Sequence, residues 1–168
     1  MKKKRLWILG SLVALAMLLA AILGVRARSA DAPDQPIAFS HKTHATDYKI
    51  DCLYCHSYAW RSQFAGVPSV ERCMGCHQIV AADKPEVKKL RDYWDRSEPI
   101  PWNKVYALPR FVRFNHEAHV RASVRCQECH GPVESMARVS KVSSLEMGWC
   151  LECHSSRKAS LDCLTCHY

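Results

Sequence analysis

Glycine is scarce. The 168 residues hold six, too few for a glycine-rich loop that cradles phosphates, and no G-x-G-x-x-G or P-loop pattern occurs. Acid is missing from one end. Residues 1–28 carry six basic residues (Lys2, Lys3, Lys4, Arg5, Arg26 and Arg28) and no acid, while the remaining 140 carry 18 basic against 16 acidic. The formal charge of +8 therefore belongs mostly to the amino terminus. The rest lacks the basic face that nucleic-acid binding requires, and no nucleic-acid partner is expected. Heptads and low-complexity tracts are also absent. The length allows one compact domain with an appendage rather than a large multidomain enzyme.

What the amino terminus has instead is an apolar run. Leu6 to Val25 is 20 residues without a charge, LWILGSLVALAMLLAAILGV. As a helix it would measure about 30 Å, the thickness of a hydrocarbon core. The basic cap predicts a cytoplasmic start. The expectation is a membrane anchor over 1–28, with an uncleaved transmembrane helix spanning 6–25. A polar, proline-containing tether follows over 29–38, and the body lies on the periplasmic side of a bacterial inner membrane. A cleaved signal peptide competes, but its apolar region runs about 7–15 residues, and the cleavage sites after Val25 are poor. Under either reading the body is exported and its cysteines meet an oxidising compartment.

There are ten cysteines, and they are arranged. All fall into five copies of C-x-x-C-H. Motif 1 is Cys52-Leu-Tyr-Cys55-His56, motif 2 is Cys73-Met-Gly-Cys76-His77 and motif 3 is Cys126-Gln-Glu-Cys129-His130. Motif 4 is Cys150-Leu-Glu-Cys153-His154 and motif 5 is Cys163-Leu-Thr-Cys166-His167. This is the attachment signature of c-type haem. Two thiols add to the porphyrin vinyl groups, and the next histidine lies under the ring as the proximal iron ligand. Disulfides would not require a histidine after every second cysteine. A zinc ribbon leaves five histidines unexplained, and a thioredoxin-like site needs one such pair, not five. Five covalently bound haem c groups are the expectation.

Four histidines remain: His41, His44, His116 and His119. They form two matching patterns, Phe39-Ser-His41-Lys-Thr-His44 and Phe114-Asn-His116-Glu-Ala-His119. On a helical turn, positions i and i+3 share a face, so each pair reaches two irons stacked nearby as distal ligands. A pair of surface histidines on a polar turn is the bland alternative. Five irons thus have four distal histidines. Methionine is the usual substitute and raises the reduction potential. Met1 and Met17 lie in the anchor, and Met74 is awkwardly placed between two attachment cysteines. Met147 and Met136 remain, either of which could merely fill a core. An open fifth iron is the other alternative, and it would permit small-molecule chemistry.

The ligand pattern followed by haem motifs recurs as a weak internal repeat. A two-haem unit spans 39–77, a haem-free insert 78–113 and a three-haem unit 114–168. Within the insert, Asp83-Lys-Pro85 reads as a helix start, with Val87, Leu90 and Trp94 on one face. Pro99 and Pro101 end it, and Val105 to Phe114 reads as extended. Trp60, Trp94, Trp102 and Trp149 are expected to pack on porphyrins or on a partner. So few residues bury a modest core, and the porphyrins must fill the rest. The expected fold is mainly α with much irregular structure: a multihaem cytochrome c packed around five haems. Apoprotein is expected to be largely unfolded.

The second unit resembles the small trihaem cytochromes c, which share F-x-H-x-x-H followed by three C-x-x-C-H motifs. That resemblance implies His116 as distal ligand for motif 3 and His119 for motif 4. The family's third distal histidine falls near Met147, where this sequence departs from the pattern. Met147 is therefore assigned to motif 5, with Met136 as runner-up. By analogy His41 serves motif 1 and His44 motif 2.

The whole chain resembles the pentahaem subunit of bacterial alternative complex III. The resemblance rests on the anchor, FSHKTHA, IDCLYCH, AGVPSVERCMGCH, LPRFVRFNHEAHV, RCQECHGPV, MGWCLECH and CLTCHY. It implies a subunit that conducts electrons from a quinol-oxidising membrane complex to a cytochrome c or terminal oxidase, with no catalytic site of its own. The implied partners are an iron–sulfur protein, a polytopic membrane subunit and a monohaem cytochrome c. A hexahaem subunit of a menaquinone reductase complex is the related alternative, and five motifs favour the pentahaem kind. A free-standing membrane-anchored quinol dehydrogenase usually carries a methionine soon after its first motif, whereas Ser57 and Tyr58 follow here. A small reductase with an open iron and a haem-based sensor complete the rivals.

Overall fold

The computed structural model describes residues 7, 10–21 and 32–168. Among them the structure is helical and irregular, with no strand. A π-helical turn over Lys42–Asp47 comes first after the amino-terminal segment, then α-helices Cys52–Cys55, Val70–His77 and Pro85–Asp95. Helices His116–Arg121, Cys126–His130 and Met147–Ser156 follow, with 3₁₀ turns at Val133–Ser135 and Cys163–Thr165.

The amino terminus corrects the first expectation. Residues 7 and 10–21 are helical, whereas a helix that crosses a hydrocarbon core needs about 30 Å. Among the described residues no helix is long and apolar enough to cross a membrane. The transmembrane helix over 6–25 therefore does not stand as part of the fold. The remainder of that span lies outside the described residues. Placement in the inner membrane with a periplasmic haem domain rested on the span and is withdrawn with it.

Local sequence explains the short helices. Asp51 caps Cys52–Cys55 by accepting from the Leu53 amide at 2.7 Å. Asp162 does the same before motif 5, accepting from Leu164 at 2.8 Å. Asn115 caps His116–Arg121, and Pro85 opens Pro85–Asp95 at the position where its missing N–H is harmless. With glycine scarce, Ser97, Ser123 and Lys158 take positive φ just beyond helix ends, a place glycine usually occupies.

The core is small. Fully buried apolar side chains among the described residues are Ile37, Ala59, Met74, Val87, Leu90 and Ile100. Ile37, Met74, Leu90 and Ile100 form one cluster, flanked by Val70, Cys73, Tyr93 and Trp102. It joins helix Val70–His77 to helix Pro85–Asp95, so the insert backs the motif 2 helix. Val87 and Leu90 face inward as the sequence pattern implies, while Trp94 is 39% exposed. The segment read as a tether docks here too. Gln35 exchanges two 2.9 Å hydrogen bonds with the Asn103 backbone, and the Ala38 amide donates to Glu86 at 2.6 Å.

The two repeat units brace each other reciprocally. The Lys42 amide donates to the Met136 carbonyl at 3.0 Å, and Thr46 Oγ1 donates to the Glu134 carbonyl at 2.6 Å. In the opposite sense, the His116 and Glu117 amides donate to the Gln63 and Ser62 carbonyls, both at 3.1 Å. Each turn that carries an F-x-H-x-x-H pattern thus sits on the segment that follows the other unit's first C-x-x-C-H motif.

Candidate haem-binding site

None of the ten cysteines is paired in a disulfide. Helix Cys126–His130 contains motif 3 whole, and helix Met147–Ser156 contains motif 4. Motif 2 ends helix Val70–His77. In a helical turn the two thiols of each motif share a face. Burial pushes the thiols of Cys52, Cys55, Cys73, Cys129 and Cys150 up, which keeps them protonated. Thiols of different motifs also act on one another. Cys52 meets Cys126, while Cys73 lies in the field of Cys55, Cys129 in that of Cys153, and Cys150 in that of Cys166.

The imidazoles pair across gaps of one size. The rings of His41 and His56 stand parallel with centroids 6.4 Å apart. His44 faces His77 at 6.0 Å, and His119 faces His154 at 6.0 Å. An imidazole nitrogen sits about 2 Å from the transition metal it binds, and the ring centroid lies roughly 1 Å beyond. Two imidazoles on one metal therefore have centroids about 6 Å apart. His130 lies in the electrostatic field of His116, and burial comes first in holding both below the usual histidine range. His41 is pushed down to about 4, by burial first and then by His56, His44 and His130. Such rings are neutral at pH 7 and keep a lone pair for a metal.

The second ring nitrogen is fixed almost everywhere. Nδ1 of His56 contacts the Gly66 carbonyl at 2.7 Å, His77 the Val80 carbonyl at 2.9 Å and His154 the Ser160 carbonyl at 2.7 Å. His44 contacts the Ser40 carbonyl at 2.8 Å, His116 that of Gln63 at 2.8 Å and His119 that of Asn115 at 2.7 Å. His167 contacts the Phe111 carbonyl at 3.0 Å. A carbonyl only accepts, so the proton sits on Nδ1 and Nε2 is left bare. Metal-bound histidines show this arrangement, which orients the ring and raises its basicity. His41 Nδ1 is buried without a partner.

The phenylalanines of the two F-x-H-x-x-H patterns have a role that sequence reasoning missed. Phe39 stacks on His44 at 4.4 Å and meets His41 edge-on at 5.0 Å. Phe114 stacks on His119 at 4.4 Å and meets His116 edge-on at 4.8 Å. One aromatic ring wedges both histidines of its turn in the same way twice.

Of the methionines, Met74 is 1% exposed in the core, away from any ligand role. Met147 is 65% exposed at the first residue of its helix. Met136 is half-buried beneath the Lys42 amide. His167 has Phe111 beside its ring at 5.9 Å. The aromatic residues Trp60 and Trp102 are spoken for within the chain: Arg121 lies over the Trp60 ring at 5.6 Å, and Trp102 packs on the core cluster.

Paired thiols on one helical face and facing imidazoles with bare Nε2 fit a porphyrin iron with two axial nitrogens. Comparison with known proteins agrees. Residues 112–168 match the family model for cytochrome c7 and related cytochrome c, and residues 23–100 match that for the class III cytochrome C family. The chain is a multihaem cytochrome c, like those of class III and cytochrome c7. These cytochrome c families imply covalently held c-type haem. The chain is similar to the multihaem cytochrome c subunit of a menaquinone reductase from Nitratidesulfovibrio vulgaris, with 35% identity over 98 residues. That similarity covers 58% of this chain and 46% of the relative, so it spans less than half of that protein.

Proposed function

We propose that this cytochrome is the five-haem electron-transfer subunit of a quinol-oxidising complex of the alternative complex III kind. Each C-x-x-C pair supplies the thioether sulfurs of one haem: Cys52 and Cys55, Cys73 and Cys76, Cys126 and Cys129, Cys150 and Cys153, Cys163 and Cys166. His56, His77, His130, His154 and His167 are the proximal ligands. His41, His44, His116 and His119 are the distal ligands of motifs 1 to 4. Met147 completes motif 5. Met136 lies under the turn that carries His41 and His44, which favours Met147 over it. When bound, the haem irons exchange single electrons.

The facing imidazole pairs at 6.0 to 6.4 Å carry this reading. Two axial nitrogens leave an iron no open position, so these residues suit electron transfer and not substrate binding. The partners are then an iron–sulfur protein, a polytopic membrane subunit and a monohaem cytochrome c or terminal oxidase. The relative from Nitratidesulfovibrio vulgaris favours a second reading, a subunit of a menaquinone reductase. The two differ in the direction of electron flow. The test is isolation of the tagged chain from its own cell with whatever co-purifies, followed by stopped-flow spectroscopy. Reduction of oxidised haem by menaquinol, with haem bound at all five motifs by peptide mass, supports the first reading. Oxidation of reduced haem by menaquinone, without reduction by menaquinol, supports the second. A chain that isolates alone and does neither refutes both.

A further inference from the structure

Tyr106 belongs to the insert that carries no haem motif, yet its ring lies against a motif histidine. The Tyr106 and His130 rings meet edge-to-face, with centroids 4.5 Å apart and planes at 80°. The phenol is itself anchored at both its hydrogen-bonding positions. Its hydroxyl donates to the Ser140 carbonyl and accepts from the Val142 amide, each at 3.2 Å. Burial pushes its pKa up, so it stays a protonated donor. The strap it grips closes over the motif 3 helix. Ser143 Oγ donates to the Cys129 carbonyl at 2.6 Å. Val142 packs on Gly131, the residue after His130, closely enough that a Cβ there would lie 2.8 Å from its Cγ2.

Seven other ring nitrogens are held by backbone carbonyls. The contact that fixes the His130 plane is aromatic instead, and it comes from a different part of the chain. An imidazole's rotation about its axis sets the overlap of its π orbitals with the iron it binds. The side chain that limits this rotation therefore tunes one haem without touching the iron.

We propose that Tyr106 is the positioning residue for His130, locking the imidazole plane through a phenol pinned to the 140–143 strap. The proposal rests on the reading of His130 as a haem ligand. Its test uses the complete haem-loaded chain. Tyr106→Leu removes ring and anchor, Tyr106→Phe removes the anchor alone, and Tyr48→Phe at a 72% exposed site is the control. Low-spin ferric signals are read by electron paramagnetic resonance, and reduction waves by optical potentiometric titration. Tyr106→Leu is expected to keep full haem content while one ferric signal and one reduction wave shift. Tyr106→Phe, with its ring still against the imidazole, returns that signal toward its wild-type position with a broader line. The control changes nothing. If Tyr106→Leu leaves every signal in place, or moves all of them together, Tyr106 does not act on His130 and the proposal is overturned. If wild-type peptide mapping finds Cys126 and Cys129 as free thiols, the ligand reading fails first and the proposal falls with it.

Discussion

Gly131 is the position where a single methyl group should do the most damage. It follows His130 directly and holds φ 62°, ψ −159°. Side-chain-bearing residues avoid that region, and strain there costs about 1–3 kcal/mol. Sterics add a separate penalty. A Cβ would lie 2.8 Å from Val142 Cγ2 and 3.4 Å from Cγ1, which is overpacking worth about 1–3 kcal/mol. Gly131→Ala should therefore destabilise the haem-loaded protein by about 2–6 kcal/mol, read from reversible denaturant unfolding followed by far-ultraviolet circular dichroism. The two causes separate in a cycle. Val142 is 50% exposed, so Val142→Ala alone costs little. Added to Gly131→Ala, it removes the clash and leaves the backbone strain, restoring about half the loss. If Gly131→Ala lies within about 0.5 kcal/mol of wild type, or if Val142→Ala makes it worse by its full single cost, the close approach of strap and motif is not as described.

Four further outcomes are expected. Asp51→Ala removes the cap on Cys52–Cys55 and should cost about 1 kcal/mol in unfolding; an unchanged midpoint would count against the cap. Ser97→Gly relieves a positive φ of 54° and should raise stability by up to about 1 kcal/mol, whereas a fall would mean that Ser97 is not strained. The Glu86 carboxyl is held below the usual range by Lys89 first and then by the Ala38 amide. A lowered folded-state pKa gives stability that is complete above the unfolded value and lost as pH falls through the folded one. Wild type should thus lose up to about 1 kcal/mol more than Glu86→Gln between pH 6 and pH 3, and parallel pH profiles would refute it. Phe114→Leu loosens His116 and His119 together, so two ferric resonance signals should broaden; a change in only one breaks the shared-wedge argument.

The chemistry was legible because it is written in local spacing. C-x-x-C-H and F-x-H-x-x-H each place their side chains within one helical turn, and position along the chain sets what a turn can present. The trihaem resemblance implied His119 for motif 4, and analogy assigned His41 to motif 1 and His44 to motif 2; the His41–His56, His44–His77 and His119–His154 ring centroids lie 6.4, 6.0 and 6.0 Å apart. What the spacing could not carry are contacts between distant backbone atoms. The Gln63 carbonyl serves His116 from 53 residues away and the Phe111 carbonyl serves His167 from 56. A carbonyl has no residue signature, so no pattern announces it. Tyr106 was invisible for a similar reason, since its partners Ser140 and Val142 offer only main-chain atoms. The apolar run over 6–25 failed differently. Hydropathy reports what a helix of that length would do, and among the described residues no helix is long and apolar enough to cross a membrane.

The reciprocal bracing explains why an insert without haem motifs persists between two units that have them. The apolar core is a single small cluster, and it lies between the motif 2 helix and the insert. Residues 114–168 have no such cluster among the described residues. They rely on the rest of the chain at several places. His116 takes its Nδ1 partner from Gln63, and His167 takes its own from Phe111 at the end of the insert. The Arg113 amide donates to the Cys166 carbonyl at 2.7 Å, closing the last motif against the same stretch of insert. Tyr106 supplies the brace for His130 from that insert as well. The dependence runs the other way at Lys42 and Thr46, whose turn rests on residues 134–136. Histidine geometry in residues 114–168 therefore depends on the rest of the chain, because His116 and His167 take their carbonyl partners from outside that segment.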